Sequence, residues 1–123
     1  MMNFPQLLAQ AGVDQAEAVA RFGGQEALLR RFVLRFPQDP TFPALLEAHA
    51  AGDREALVRH VHTLKGVAAN LGFGPLSRLA AGYLAGLRAG DPLPALASQH
   101  EALCAEYRRV TGLIEQFLAE NPA

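Results

Sequence analysis

The sequence predicts an all-α fold, an antiparallel up-down four-helix bundle with one or two short N-terminal flanking helices. Three observations predict it. Apolar residues recur at helical spacing along almost the whole chain, short Gly, Pro and Asp clusters separate the stripes, and no run alternates apolar and polar residues as a half-buried strand would. Long amphipathic segments joined by two- to four-residue connections must lie antiparallel to their neighbours. At 123 residues the chain is expected to form a single domain, 1–123, with enough length to bury one core.

A first short helix is expected over Phe4 to Ala11, stopped by Gly12. Asp14, with Glu17 three residues on, gives a carboxylate version of the capping box, and Val13 is placed to staple against Ala18. Val19 and Phe22 should face inward before Gly23-Gly24 ends that helix. Helix resumes from Gln25 with Leu28, Leu29, Phe32, Val33 and Phe36 on one side and Arg30, Arg31 and Arg35 elsewhere. Pro37, Pro40 and Pro43 follow, and a proline inside a helix costs about 3 kcal/mol. A break or sharp kink is therefore expected near Pro37, with helix restarting at Asp39 or Thr41 and running to Ala50.

After Ala51-Gly52, Asp53 caps the motif helix, about 53–71. Pro75 suits a first helical position, and Leu76, Leu79, Ala80, Tyr83, Leu84 and Leu87 form the next stripe, up to Gly90. Asp91-Pro92 reads as another cap and first-turn proline. The last helix carries Leu93, Leu96, His100, Leu103, Tyr107, Val110, Ile114 and Phe117 at alternating steps of three and four, the seam of a bundle. Gly112 interrupts it at a cost of about 1 kcal/mol relative to Ala, which suggests a tight helix contact there.

The totals exclude several function classes. Eleven Lys plus Arg against twelve Asp plus Glu give a net charge of −1, and nucleic-acid binding usually needs a clustered basic surplus. Cys104 is the only cysteine, so no internal disulfide can form, and a reducing cytoplasm is the expected compartment. No apolar run approaches the roughly 18 to 20 residues of a membrane span, and Pro5, Gln6 and Gln10 break any signal-peptide core. There is no Gly-rich phosphate loop, no H-E-x-x-H pair and no G-x-S-x-G element. Cys104 falls in the apolar half of the last helix and reads as core rather than nucleophile.

What remains is one face of one helix. Leu57, Val61, Leu64, Ala68 and Leu71 follow a single helical stripe. At about 100° per residue, His62 lies about 140° from the centre of that stripe and Gly66 lies almost opposite it. Lys65 and Gly66, at i+3 and i+4, share a helix surface with His62. The lysine can offset the charge of a phosphoryl group held on the imidazole. The glycine is costly within a helix unless something must come close to the backbone there. The other histidines read differently. His60 and His62 point about 160° apart and cannot share a metal, His100 sits in the seam as a hydrogen-bonded structural residue, and His49 lies near a helix end.

These residues carry a resemblance. His62-Thr63-Leu64-Lys65-Gly66, with Ala68 and Leu71-Gly72, is similar to the signature of histidine phosphotransfer (HPt) domains of two-component phosphorelays. Gly12-Val13-Asp14, Arg21-Phe22-Gly23-Gly24, Ala51-Gly52-Asp53 and Ala89-Gly90-Asp91 resemble further landmarks of that family. The resemblance implies a four-helix bundle in which His62 is phosphorylated by a receiver-domain aspartate or hybrid sensor histidine kinase and passes the group to a response-regulator aspartate. It implies that Lys65 places the phosphoryl oxygens and that Arg59, Gly66 and Ala69 face the partner. It implies no cofactor of its own, Mg2+ only in the partner receiver, no nucleic-acid or membrane partner, and a monomeric phosphocarrier rather than an autonomous enzyme. Met1 favours a free-standing protein. Two departures stand out: Val67 occupies a position often held by Ser, and the three prolines interrupt a helix that is usually continuous, which alters the surface flanking the His helix. The competing reading is an adaptor of the same fold that binds a receiver or kinase without transferring phosphate. Loss of the His, Lys or Gly would mark such an adaptor, and all three are present.

Overall fold

Short polar side chains and left-handed glycines set most of the helix ends. In the computed structural model, which describes residues 1–122, Asn3 opens α1 (Phe4–Gln10) with a reciprocal capping box to Gln6. Asp14 caps α2 (Gln15–Arg21) by accepting from the Glu17 amide at 3.1 Å, and only that half of the expected box forms. Asp53 likewise caps α5 (Arg54–Leu71) through the Ala56 amide. Gly72, at φ +87°, ends α5 in the left-handed conformation that a side chain resists.

The prolines produce one break rather than three. α3 (Glu26–Arg35) stops, a 3-10 turn covers Phe36–Gln38, and α4 runs Thr41–Ala50. Pro37 sits in the turn, Pro40 immediately precedes α4, and Pro43 falls within its first turn, where a missing N–H removes no helical bond. Asp39 steadies the restart by accepting from the Thr41 amide at 2.8 Å. α6 spans Gly74–Arg88 with Pro75 as its second residue rather than its first.

The last helix also departs from expectation. Asp91 does not cap it; a 3-10 turn fills Leu93–Leu96 and α7 runs Ala97–Glu120. Pro94, which has no amide hydrogen to donate, sits inside that turn, and α-helical bonding begins only beyond it. The connection from α6 to α7 is consequently longer than the sequence suggested. Gly112 is exposed with nothing near where a Cβ would stand, so no tight contact forms there. On α3 and the turn that follows it, Leu29, Val33 and Phe36 are buried as expected, but Leu28 is half-buried and Phe32 is 46% exposed. Phe32 instead lies against Phe22 at the end of α2, with the ring centres 5.6 Å apart.

Four segments form the bundle: the broken α3–α4, then α5, α6 and α7. α5 packs between α4 and α6, and α6 packs on α7. Phe36 and Phe42 meet Tyr107 of α7, the latter stacked at 3.7 Å, and His49 stacks on His100, so aromatic rings close the circuit from α4 to α7. Seam residues Leu96, His100, Leu103, Tyr107, Val110, Ile114 and Phe117 are all buried, while Leu93 is half-buried. α1 lies on α7, with Phe4 edge-on to Phe117 and the Arg30 guanidinium 5.2 Å from both ring centres. α2 lies against the C-terminal end of α5. Val13 and Ala18 crowd Gly72 so closely that a Cβ there would meet Val13 Cγ1 at 2.9 Å.

Candidate functional site

α5 divides into a buried stripe and a solvent face. Leu57, Val61, Leu64, Ala68 and Leu71 are all buried, and burying a leucine of this kind contributes about 1.5–3 kcal/mol. This stripe holds the helix in one rotational setting. The opposite face carries Arg59, His62, Thr63, Gly66, Ala69 and Asn70, all exposed, with half-buried Lys65 along its edge. The five residues singled out in sequence, Arg59, His62, Lys65, Gly66 and Ala69, therefore occupy one continuous surface.

His62 and Lys65 engage no side-chain hydrogen bond or ion pair among the described residues, which leaves both available to an incoming group. Gly66 has no internal reason to be glycine: its backbone is ordinary helix and nothing lies within 4 Å of an added Cβ. A bare patch one turn beyond His62 is thus open to approach from outside. Thr63 bonds back to the Arg59 carbonyl at 3.0 Å and so turns its hydroxyl away from His62.

Two donors from neighbouring helices reach the backbone of this face, and no local sequence pattern marks either of them. Ser77 of α6 donates to the Lys65 carbonyl at 3.2 Å, and Arg21 of α2 donates to the Asn70 carbonyl at 3.1 Å. Their helices were legible, but the register that aims these side chains at α5 was not. Arg21 and exposed Arg78 line a shallow polar hollow with Asp14, Glu17, Ala69, Gly72 and Ser77, so two cations and two carboxylates balance beside the His62 surface. On the other flank, where α3 breaks, Phe32, Arg35, Phe36, Gln38, Val67 and Asn70 border an open groove of about 550 Å³. Phe32, expected in the core, is exposed because Leu29, Val33 and Phe36 set the buried face and the helical period places residue 32 well to one side of it.

The remaining histidines separate cleanly. His60 is half-buried beside Ala44, Glu47 and Ala48 of α4. His100 is buried, shares a hydrogen bond of 2.9 Å with the Tyr83 hydroxyl, and lies under His49 at 3.5 Å between ring centres. Burial first, and His49 second, hold the His100 imidazole below its usual pKa. No cluster of three or more potential metal ligands occurs among the described residues, and no helix among them is long and apolar enough to cross a membrane.

The Hpt domain family model matches residues 26–120. Among solved structures, the chain is similar to the crystal structure of the HPT domain from the Hpt sensor hybrid histidine kinase of Shewanella. The two share 18% identity at a TM-score of 0.72, over 93% of this chain and 99% of that one. That likeness is one of fold. No curated protein matches this chain. The matched region holds the whole bundle and begins after α1 and α2, of which α2 braces the end of α5 and α1 lies on α7.

Proposed function

The chain belongs to the Hpt domain family, whose members serve phosphotransfer in two-component systems, and from that premise we propose that this protein carries the phosphoryl group on His62. One observation carries the assignment: His62 is the histidine of α5 that faces solvent, beside a lysine and a bare glycine, with no internal partner among the described residues. His60 turns toward α4 and His100 is committed to the core.

The step is an in-line displacement. A ring nitrogen of neutral His62 attacks the phosphorus of a receiver acyl phosphate. The N–P bond forms as the P–O bond to the receiver aspartate breaks, and that electron pair leaves on the carboxylate. The other ring nitrogen keeps the proton. Delivery to a second receiver is the reverse, with aspartate as nucleophile. Such chemistry asks for positioning and charge stabilisation more than for covalent machinery. Lys65 supplies a mobile cation at i+3, and Gly66 clears the path of approach. Mg2+ is assigned to the receiver side of the complex. In this reading the protein is a cytoplasmic, monomeric carrier that serves a hybrid sensor kinase and response regulators.

The receiver is proposed to cover the α5 face around Arg59, Gly66 and Ala69. The groove beside Phe32 and Val67 extends that surface with apolar area, and the break at Pro37 shapes it. An adaptor that binds without transfer would share the docking face but leave His62 unmodified. Mixing the protein with a phosphorylated receiver should move label onto it as acid-labile, alkali-stable phosphate, and a His62→Gln variant should take up none. Label persisting in that variant would refute the assignment, and tight receiver binding without label across several donors would favour the adaptor.

A further inference from the structure

One peptide unit of α5 gathers three parts of the proposed site. The peptide joining Lys65 to Gly66 directs its N–H, in the i to i−4 pattern of the helix, to the carbonyl of His62. Its own carbonyl belongs to Lys65 and accepts the Ser77 hydroxyl of α6 at 3.2 Å. At this point Gly66 brings no side chain to restrain α5, and its surroundings are open. Ser77 is half-buried on the side of α6 that meets α5, in the first turn of that helix, and its amide is already satisfied by the Phe73 carbonyl at 3.0 Å. Its hydroxyl reaches across to the neighbouring helix instead of capping its own.

Resting on the reading of His62 as the phosphorylated residue, we infer that Ser77 is a positioning residue for phosphoryl transfer. Its hydroxyl fixes the Lys65–Gly66 peptide, and through it the direction in which Lys65 leaves the helix relative to His62. Without that bond the glycine-weakened turn can tilt. An error of this size matters because in-line transfer depends steeply on the placement of the groups that meet the phosphoryl oxygens. The hydroxyl touches no reacting atom. A general role as helix glue would affect stability alone; a positioning role affects the rate within the bound complex.

Rapid-quench transfer from a phosphorylated receiver domain separates the two. Ser77→Ala should lower the saturating transfer rate roughly three- to tenfold, leave the half-saturating receiver concentration unchanged, and speed hydrogen exchange at the Gly66 amide. Ser77→Thr, which keeps the hydroxyl, should restore most of the rate. The rates are normalised to the folded fraction from circular dichroism. An unchanged saturating rate in Ser77→Ala, a change confined to half-saturation, or no recovery in Ser77→Thr overturns the inference. His62→Gln is run alongside: if it accepts label, the site reading fails, whereas if it does not and Ser77→Ala matches wild type, only the positioning role fails.

Discussion

His62 and His100 are the same side chain in two opposite situations. His62 stands exposed on α5 with no partner among the described residues. His100, at 9% exposure on α7, is held by the Tyr83 hydroxyl at 2.9 Å, lies 3.6 Å from Cys104 Sγ, and is stacked by His49 with the rings 10° apart. Helical phase alone separates them: His100 occupies a seam position, and His62 lies about 140° off its helix's buried stripe. A histidine in the seam must spend both ring nitrogens and its face on internal partners, because an unpaired buried polar group is costly. The stacked rings of His49 and His100 also direct their nitrogens in parallel planes, so the pair cannot converge on one ion. The buried end of the molecule is rich in interactions and keeps its histidine and the free Cys104 thiol from solvent; the open face is poor in interactions and leaves an imidazole exposed.

The largest expected effect is therefore a crossed pair of variants. His62→Gln should abolish phosphoryl uptake while changing stability by less than about 0.5 kcal/mol, as exposed substitutions generally do. His100→Ala should do the reverse. It leaves a cavity, an orphaned Tyr83 hydroxyl and an uncovered His49 ring, and should cost about 2–4 kcal/mol in urea unfolding. Its transfer rate per folded molecule should remain near wild type. Comparable stability losses in the two variants would erase the distinction drawn between the two histidines.

A smaller effect follows from pH. The imidazole of His100 titrates below its ordinary value, chiefly through burial, next through His49 and also through Arg108, with Glu101 acting in the opposite sense. Tyr83 of α6 is pushed up to about 12 by burial and stays protonated throughout, and Cys104 is also raised by burial. For a histidine with a lowered folded pKa, the unfolded chain takes up the proton first as pH falls. The stability that neutral His100 contributes is thus fully present above its unfolded pKa of about 6.5 and is lost as pH falls through that value toward the folded one. The urea midpoint should fall between pH 7.5 and 5, and His100→Gln should flatten that slope. An identical slope in the variant would show that other groups govern it.

These contrasts also mark what the sequence could and could not disclose. The stripe on α5 and the seam on α7 are local periodicities, so the exposure of His62 and the burial of His100 were both readable from spacing. Caps at Asp14 and Asp53 and the stop at Gly72 were readable for the same reason. Whatever depended on meeting another helix was not. The contact of Phe32 with Phe22 depends on how α2 meets α3, the stack of His49 on His100 depends on how α4 meets α7, and the bond from Ser77 to Lys65 depends on the α5–α6 register. Pro94 shows a further limit, because two prolines two residues apart favoured a tight turn over the helix start that Asp91-Pro92 had suggested.

The finest test compares two glycines. Gly66 and Gly112 both lie inside helices, both are exposed, and neither has any atom within 4 Å of where a Cβ would stand. Local physics treats them alike: replacement by alanine should raise stability by up to about 1 kcal/mol at either site, since each removes a conformationally loose residue from a helix. Nothing in the structure explains Gly112. Gly66 differs in having His62 one turn away on the same face. If a receiver must bring its aspartate against that face, Gly66→Ala should stabilise the protein yet slow transfer several-fold, and Gly66→Leu should slow it further by holding the partner off. Gly112→Ala should give the same thermal gain with transfer unchanged. Equal transfer rates in the wild type and both Gly66 variants would mean that the bare patch is not where the partner approaches, and the glycine would then be as unexplained as its counterpart on α7.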